Sequence, residues 1–177
     1  MQEWLETCLP NVADSFPVLQ QSILETLQMV LAAGLISFFL GVLLGTVLTV
    51  TRQNGILPNP AVYQVLDKLI NLFRSIPFII LLFCLLPLTR LLVGTAIGVR
   101  GAIVPLVFGT TPFFARQIEA SLWEVDPGLV EAAQAMGNSD FEIILHLYWR
   151  ESIAGIARGT TITLISWIGL TAMAGAV

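Results

Sequence analysis

The chain has 177 residues, of which 56% are hydrophobic and only 11% charged, and its mean hydropathy is +0.85. Soluble domains carry about 25% charged residues, so this is an integral membrane protein, with room for about four or five helical spans of about 20 residues each and for no sizeable soluble domain. A formal charge of −4, with its eight basic residues scattered, argues against nucleic-acid binding, which needs grouped Lys and Arg to neutralise phosphates.

Glu3, Glu6 and Asp14 precede the first basic residue, Arg52. A cleavable signal begins with positive charge, so the first helix is expected to stay in the mature protein. Cys8 lies in this acidic stretch and Cys84 in an apolar run, and neither is read as a ligand or half of a disulfide. The uncharged run Thr26 to Thr51 is about 39 Å long as a helix and forms the first span. Arg52-Gln53-Asn54-Gly55 to Pro58-Asn59-Pro60 is dense in breakers and reads as a loop, with helix resuming near Tyr63.

The second span is expected as a kinked helix at about 69–93, interrupted by Pro77 and Pro87, with Arg74 and Arg90 snorkelling to opposite surfaces; a broken helix is the alternative. Arg74 is read as an interfacial anchor or, because charge inside a membrane is a functional hypothesis by default, as a pathway residue. A third span runs from about Thr95 to Ile118 with Pro105 and Pro112 inside it, and Arg116 and Arg158 are expected to anchor helix ends. From Glu119 to Glu151 the chain is aqueous, with seven acidic residues against one Arg. A fourth span, 159–177, runs off the end of the sequence, so a further segment is expected beyond it.

Six of the eight basic residues, Arg52, Lys68, Arg74, Arg116, Arg150 and Arg158, fall at the first loop or flank the acidic segment, and Arg90 and Arg100 fall on the other side. The positive-inside rule therefore places the first loop and 119–151 in the cytoplasm and the N-terminus outside.

The acidic segment has its own local code. Asp126 can cap a helix that starts at Pro127, whose missing N–H is an orphan at that position anyway. Leu129, Ala133 and Met136 fall on one face, and Gly137 suits a left-handed stop. Ser139-Asp140-Phe141-Glu142 is a capping box that starts a second helix. Small Ala132 and Ala133 would let a partner's surface come close to the backbone. The result is a short helix, a sharp elbow and a helix leading back to the membrane, which is either a docking site or an ordinary interfacial turn.

Glu131-Ala132-Ala133 with Gly137 resembles the loop of ABC-transporter permease subunits that marks the coupling helix, the element that inserts into a cleft of the ATPase. Where that pattern ends in Leu-Pro, this chain has Trp149-Arg150. The run Phe73-Arg74-Ser75-Ile76-Pro77-Phe78-Ile79-Ile80-Leu81-Leu82, with Val93-Gly94-Thr95-Ala96-Ile97-Gly98, Ala102-Ile103-Val104-Pro105 and Pro112-Phe113-Phe114-Ala115-Arg116, is similar to the permeases of methionine-uptake importers over about 20–177.

The resemblance implies an all-α, polytopic helix bundle of the ABC importer permease type, in which this chain carries about four of five spans as one membrane domain. It also implies a homodimer in a bacterial inner membrane, two ATPase subunits coupled through Leu129, Glu131, Ala132, Ala133, Met136 and Gly137, and an external methionine-binding protein. A permease for another amino acid and a non-transporter membrane scaffold are the alternatives.

No glycine-rich turn precedes the single lysine, Lys68, so the chain has no P-loop, and ATP and magnesium are expected on the partner ATPase, with no cofactor or metal here. His146 stands alone and is read as an interfacial side chain. Gly41 with Gly45, Gly94 with Gly98, and Gly155 with Gly159 each have the spacing of close helix contacts. In the last span Trp167 and Met173 are expected to approach the passage, with plain helix packing as the competing reading.

Overall fold

The computed structural model describes residues 15–175. Cys8, the acidic residues before Ser15 and the last two positions of the fourth span lie outside the described residues. The described chain is helical: α1 (Phe16–Thr51), α2 (Pro60–Ser75), α3 (Phe78–Val93), α4 (Gly98–Trp123), α5 (Pro127–Ala135), α6 (Asp140–Glu142), a π-helical turn (Ile143–Tyr148), α7 (Trp149–Glu151) and α8 (Ile153–Ala174). Three of these helices, α1, α4 and α8, are long and apolar enough to cross a membrane. The pair α2 and α3 counts as a fourth span only if the two are taken together across a bend of 110°.

That bend corrects the single kinked helix expected at 69–93. Ile76 precedes a proline and is extended, with φ −83° and ψ 124°, as the clash between a proline ring and the residue before it favours. Pro77 is also extended and α3 starts afresh at Phe78. Pro87, by contrast, lies inside α3 without ending it.

The bundle is organised around α4, which packs against α1, α2, α3 and α8. In hydrocarbon there is no hydrophobic drive for helix association, so close van der Waals fit must hold such a bundle. Gly41 and Gly45 provide it on α1. A Cβ on Gly41 would stand 2.4 Å from the ring of Phe114, and one on Gly45 would stand 2.6 Å from both the backbone oxygen of Ala115 and Cβ of Ile118. Gly155 and Gly159 give α8 the same intimacy with α4, facing Ser121 and Gln117 at 2.8 and 2.9 Å. The third pair behaves differently. Gly94 and Gly98 have φ of +81° and +73° with open space around them, so they make the turn between α3 and α4 and are no helix contact. This turn is also why α4 begins at Gly98 and not at Thr95.

Arg116 is a correction as well. It does not anchor a helix end but reaches from α4 to α2, where it pairs with Asp67 and donates to Asn71 Oδ1 at 3.1 Å, while its other terminal nitrogen holds Glu119 at 2.6 Å. Glu119 is itself buried, so two carboxylates and one guanidinium share the site. The pairing fixes amphipathic α2 against the bundle.

Candidate coupling elbow

The elbow forms where α4 leaves the bundle. Asp126 Oδ1 accepts the backbone N–H of Gly128 at 2.8 Å, and Pro127 occupies the first helical position, as the sequence predicts. At the other end of α5, Gly137 N–H donates to Gln134 O at 2.9 Å and Asn138 N–H to Ala133 O at 3.2 Å. These two bonds make a Schellman motif, which requires the left-handed residue that Gly137 supplies at φ +82°. The chain then reverses into the capping box, in which Glu142 Oε2 accepts both the backbone N–H and the hydroxyl of Ser139 at 2.8 Å. Both ends of α5 and the start of α6 are thus capped by bonds within the segment itself.

The Ser139 bonds hold the Glu142 carboxyl below the usual carboxylate range. A depressed carboxyl adds stability that is full above its unfolded value of about 4.3 and lost as pH falls through the lower folded value. Protection of the Ser139 amide, which donates to this carboxylate, is therefore expected to be full above the unfolded carboxyl value and to fall as pH drops through the lower folded value, and Glu142→Gln is expected to remove that pH dependence.

The structure divides the row expected along α5. Ala133 is only 5% exposed and points back into its own chain, where α5 packs against the π-helical turn. Leu129 (45%) and Met136 (75%) are open to the surroundings, as are Glu131, Ala132 and Gly137. Of the two alanines, then, only Ala132 is open to a partner. Phe141, which sequence reasoning placed only as a capping-box position, joins them as an exposed aromatic at the start of the returning helix. A cavity of about 280 Å³ lies behind the elbow, walled by Glu131 and Gln134 of α5, Tyr148, and Asn54 to Ile56 of the first loop. Burial in this region pushes the Tyr148 hydroxyl up from its ordinary value.

The first loop braces the base of the elbow. Leu57 N–H and Asn59 N–H bond back to Val50 O and Thr51 O at 3.0 and 2.9 Å, and the Arg52 guanidinium lies 3.9 Å from the ring centre of Trp123 at the end of α4. The returning segment is tied in turn. Trp149 Nε1 donates to Thr46 Oγ1 of α1 at 3.2 Å, and Ser152 Oγ donates to Ser121 O of α4 at 3.0 Å. Trp149-Arg150 continues the helix where a proline would have ended it, and the break comes instead at Ser152. Just before Trp149, the wide turn Ile143–Tyr148 adjusts the register of the segment; nothing in the sequence marks it.

The two residues expected near the passage part company. Trp167 is 4% exposed in the core with Met29, Ala33 and Leu106, its ring seated on Gly34, and it also lines a cavity at the bend between α2 and α3. Met173 lies on another side of α8 and is exposed.

The sequence profile of the family described as binding-protein-dependent transport system inner membrane component matches residues 37–177. The chain is 46% identical over 158 residues to the D-methionine transport system permease protein MetI of Yersinia pestis, covering 89% of this chain and 73% of that protein. It is 43% identical over the same length to the protein of that name from Escherichia coli K12. Among solved structures it superposes on a chain of the MetNI methionine ABC transporter in an inward-facing conformation with a TM-score of 0.89 at 42% identity, covering 92% of this chain and 76% of that one. An amino acid ABC transporter with histidines shares the fold, with a TM-score of 0.61 at 18% identity.

Proposed function

The chain belongs to the family of binding-protein-dependent transport system inner membrane components, and from that premise we propose that it forms the pathway by which an ATP-driven importer brings methionine, of either hand, across the inner membrane. It is a transport subunit and not an enzyme. Two copies surround the pathway, and an external methionine-binding protein loads its outer mouth. ATP and magnesium are held by two partner ATPase subunits, each seated on one elbow. The N-terminus lies outside, the first loop and 119–151 lie in the cytoplasm, and lipid surrounds the single membrane domain.

The observation that carries this reading is the elbow. A short helix capped at both ends within its own segment exposes Leu129, Ala132 and Met136, with Phe141 exposed at the start of the returning helix, and the segment is braced onto α1 and α4. Nucleotide binding that draws two ATPase subunits together moves the two elbows, and the rigid ties through Trp149 and Ser152 pass that motion into the bundle. The bundle then shifts between inward-open and outward-open states because the elbow makes different contacts with the ATPase in each.

Uptake of radiolabelled methionine by vesicles holding the assembled transporter tests the substrate. Unlabelled L- or D-methionine is expected to suppress it, and glutamine in equal excess to leave it unchanged. Suppression by polar amino acids instead would assign the chain to another amino-acid importer. Failure to co-purify with any P-loop ATPase would make it a scaffold.

A further inference from the structure

α2 meets the bundle along a narrow strip. Of its sixteen residues only Ile70 is buried, in a small cluster with Leu48 of α1 and Ala115 of α4. Beside that cluster an apolar cavity of about 270 Å³ separates the three helices, walled by Leu40, Leu44, Leu69, Phe73, Val107 and Phe108. Packed interiors interdigitate and leave few voids of this size, so α2 leans against its neighbours and is not locked among them.

Both ends of α2 are jointed. Asn59 before it is extended, with φ −138° and ψ 93°, and stands between Pro58 and Pro60; Ile76 after it is extended and is followed by Pro77. Hinge motion is absorbed by a few residues at the ends of an element, so a helix between two such breaks can turn as one rigid piece.

What holds it is Arg116, and the way this bond is built lets it open. The guanidinium nitrogen that pairs with Asp67 also donates to Asn71 Oδ1 at 3.1 Å, and the other terminal nitrogen donates to Glu119 Oε2 at 2.6 Å, one turn along its own helix. On α2 the Asn71 amide in turn donates to Asp67 Oδ2 at 3.2 Å. Breaking a buried ion pair is costly because it strands a charge. Neither half is stranded here. When α2 departs, Arg116 keeps Glu119, and Asp67, partly exposed already, keeps the Asn71 amide and gains water. Arg116 and Glu119 also lie in the last two turns of α4, which ends at Trp123 just before the elbow, so a displacement of the elbow is delivered to α4 at this cluster.

We propose that α2 is a separately moving strut and the Arg116 cluster its latch. When the elbows are drawn together, Arg116 releases Asp67 and Asn71 while keeping Glu119, and α2 swings on its two proline joints off the strip that Ile70 covers. α2 thus takes different positions against α4 in the two states of the bundle and does not travel with it as one rigid body. The latch rests on the importer reading above for the force that opens it.

The test uses the transporter assembled with its ATPase and binding protein in lipid vesicles, carrying Cys8→Ser, Cys84→Ser and the reporter Ile70→Cys, and reads the rate at which N-ethylmaleimide labels the reporter. Tyr63→Cys, packed against the same cluster, takes its place if Ile70→Cys does not assemble. Labelling is expected to be slow at rest, because position 70 is covered, and several-fold faster with ATP and vanadate. Asp67→Asn is expected to raise the resting rate by about tenfold, the worth of a charge-assisted hydrogen bond, and Asp67→Glu to bring it back. Glu119→Gln is expected to act in the other direction: without the partner on its own helix Arg116 cannot let Asp67 go, and the response to nucleotide is lost. A fixed brace would give one sign for both, since each variant removes one bond from the same guanidinium. Equal labelling with and without nucleotide, or a resting rate raised by Glu119→Gln as by Asp67→Asn, would overturn the latch. Uptake of radiolabelled methionine by the same vesicles is read alongside: uptake without a change in labelling removes the latch and leaves the importer, whereas no uptake by the transporter without substitutions removes the importer reading, and the latch with it.

Discussion

Placing aspartate at both Leu129 and Met136 is expected to lower the affinity of the ATPase for this chain by at least about a hundredfold, with the folded bundle unchanged. Both side chains are largely exposed in the described structure, so neither substitution leaves a hole or buries a charge within the subunit. The cost falls on the complex. An interface anchor of this kind is worth about 2 kcal/mol or more when truncated, and a carboxylate forced into an apolar cleft adds desolvation to that loss. Two such sites on one short helix therefore exceed the 2.8 kcal/mol or so that a hundredfold represents. Co-purification with the ATPase, alongside thermal unfolding of the permease alone, separates loss of docking from loss of fold. Asn138, exposed beside Gly137 and apart from the apolar set, is the control: Asn138→Asp is expected to bind normally.

Gly45→Val is expected to act in the opposite way, destabilising the bundle and leaving the elbow surface untouched. Small-to-large changes in packed interiors cost about 1–3 kcal/mol. Gly45 belongs at the upper end of this range because its neighbour is the backbone oxygen of Ala115, which cannot rotate away as a side chain can. Gly41→Ala is expected to be milder, since the ring of Phe114 can shift. The two helices would be driven apart at this crossing, along with Leu48, Ala115 and Ile118 packed beside it. Unfolding temperature in detergent, compared across Gly45→Ala, Gly45→Val and Gly41→Ala, measures the gradient.

The elbow was legible in the sequence because it is built from local rules. Asp126 before Pro127, Gly137 after one short helix, and Ser139 three residues before Glu142 each act within a few positions, so no tertiary knowledge is needed to read them. The long apolar runs were equally plain. Tertiary placement was not. Arg116 looked like an end anchor because sequence shows its distance to the next polar segment and not the Asp67 carboxylate that lies against it from another helix. The 110° bend was present as an alternative in Ser75-Ile76-Pro77, but Pro87 gives the same signal and only one of the two prolines breaks its helix. Gly94 and Gly98 matched a contact motif by spacing alone, and only the backbone angles separate a turn from a crossing.

The chain acts, on the function proposed above, as a passage that a separate ATPase moves through the elbow. The most direct measurement is accumulation of radiolabelled methionine in vesicles carrying the permease, the ATPase and the binding protein, with ATP supplied on the ATPase side, for the unaltered chain and for Gly137→Pro. Proline cannot adopt the positive φ that the elbow requires and has no N–H to give to Gln134. The account predicts accumulation above the external concentration with the unaltered chain and none with Gly137→Pro, although the Gly137→Pro bundle still folds. Equal accumulation by both, or accumulation with the ATPase left out, would contradict it.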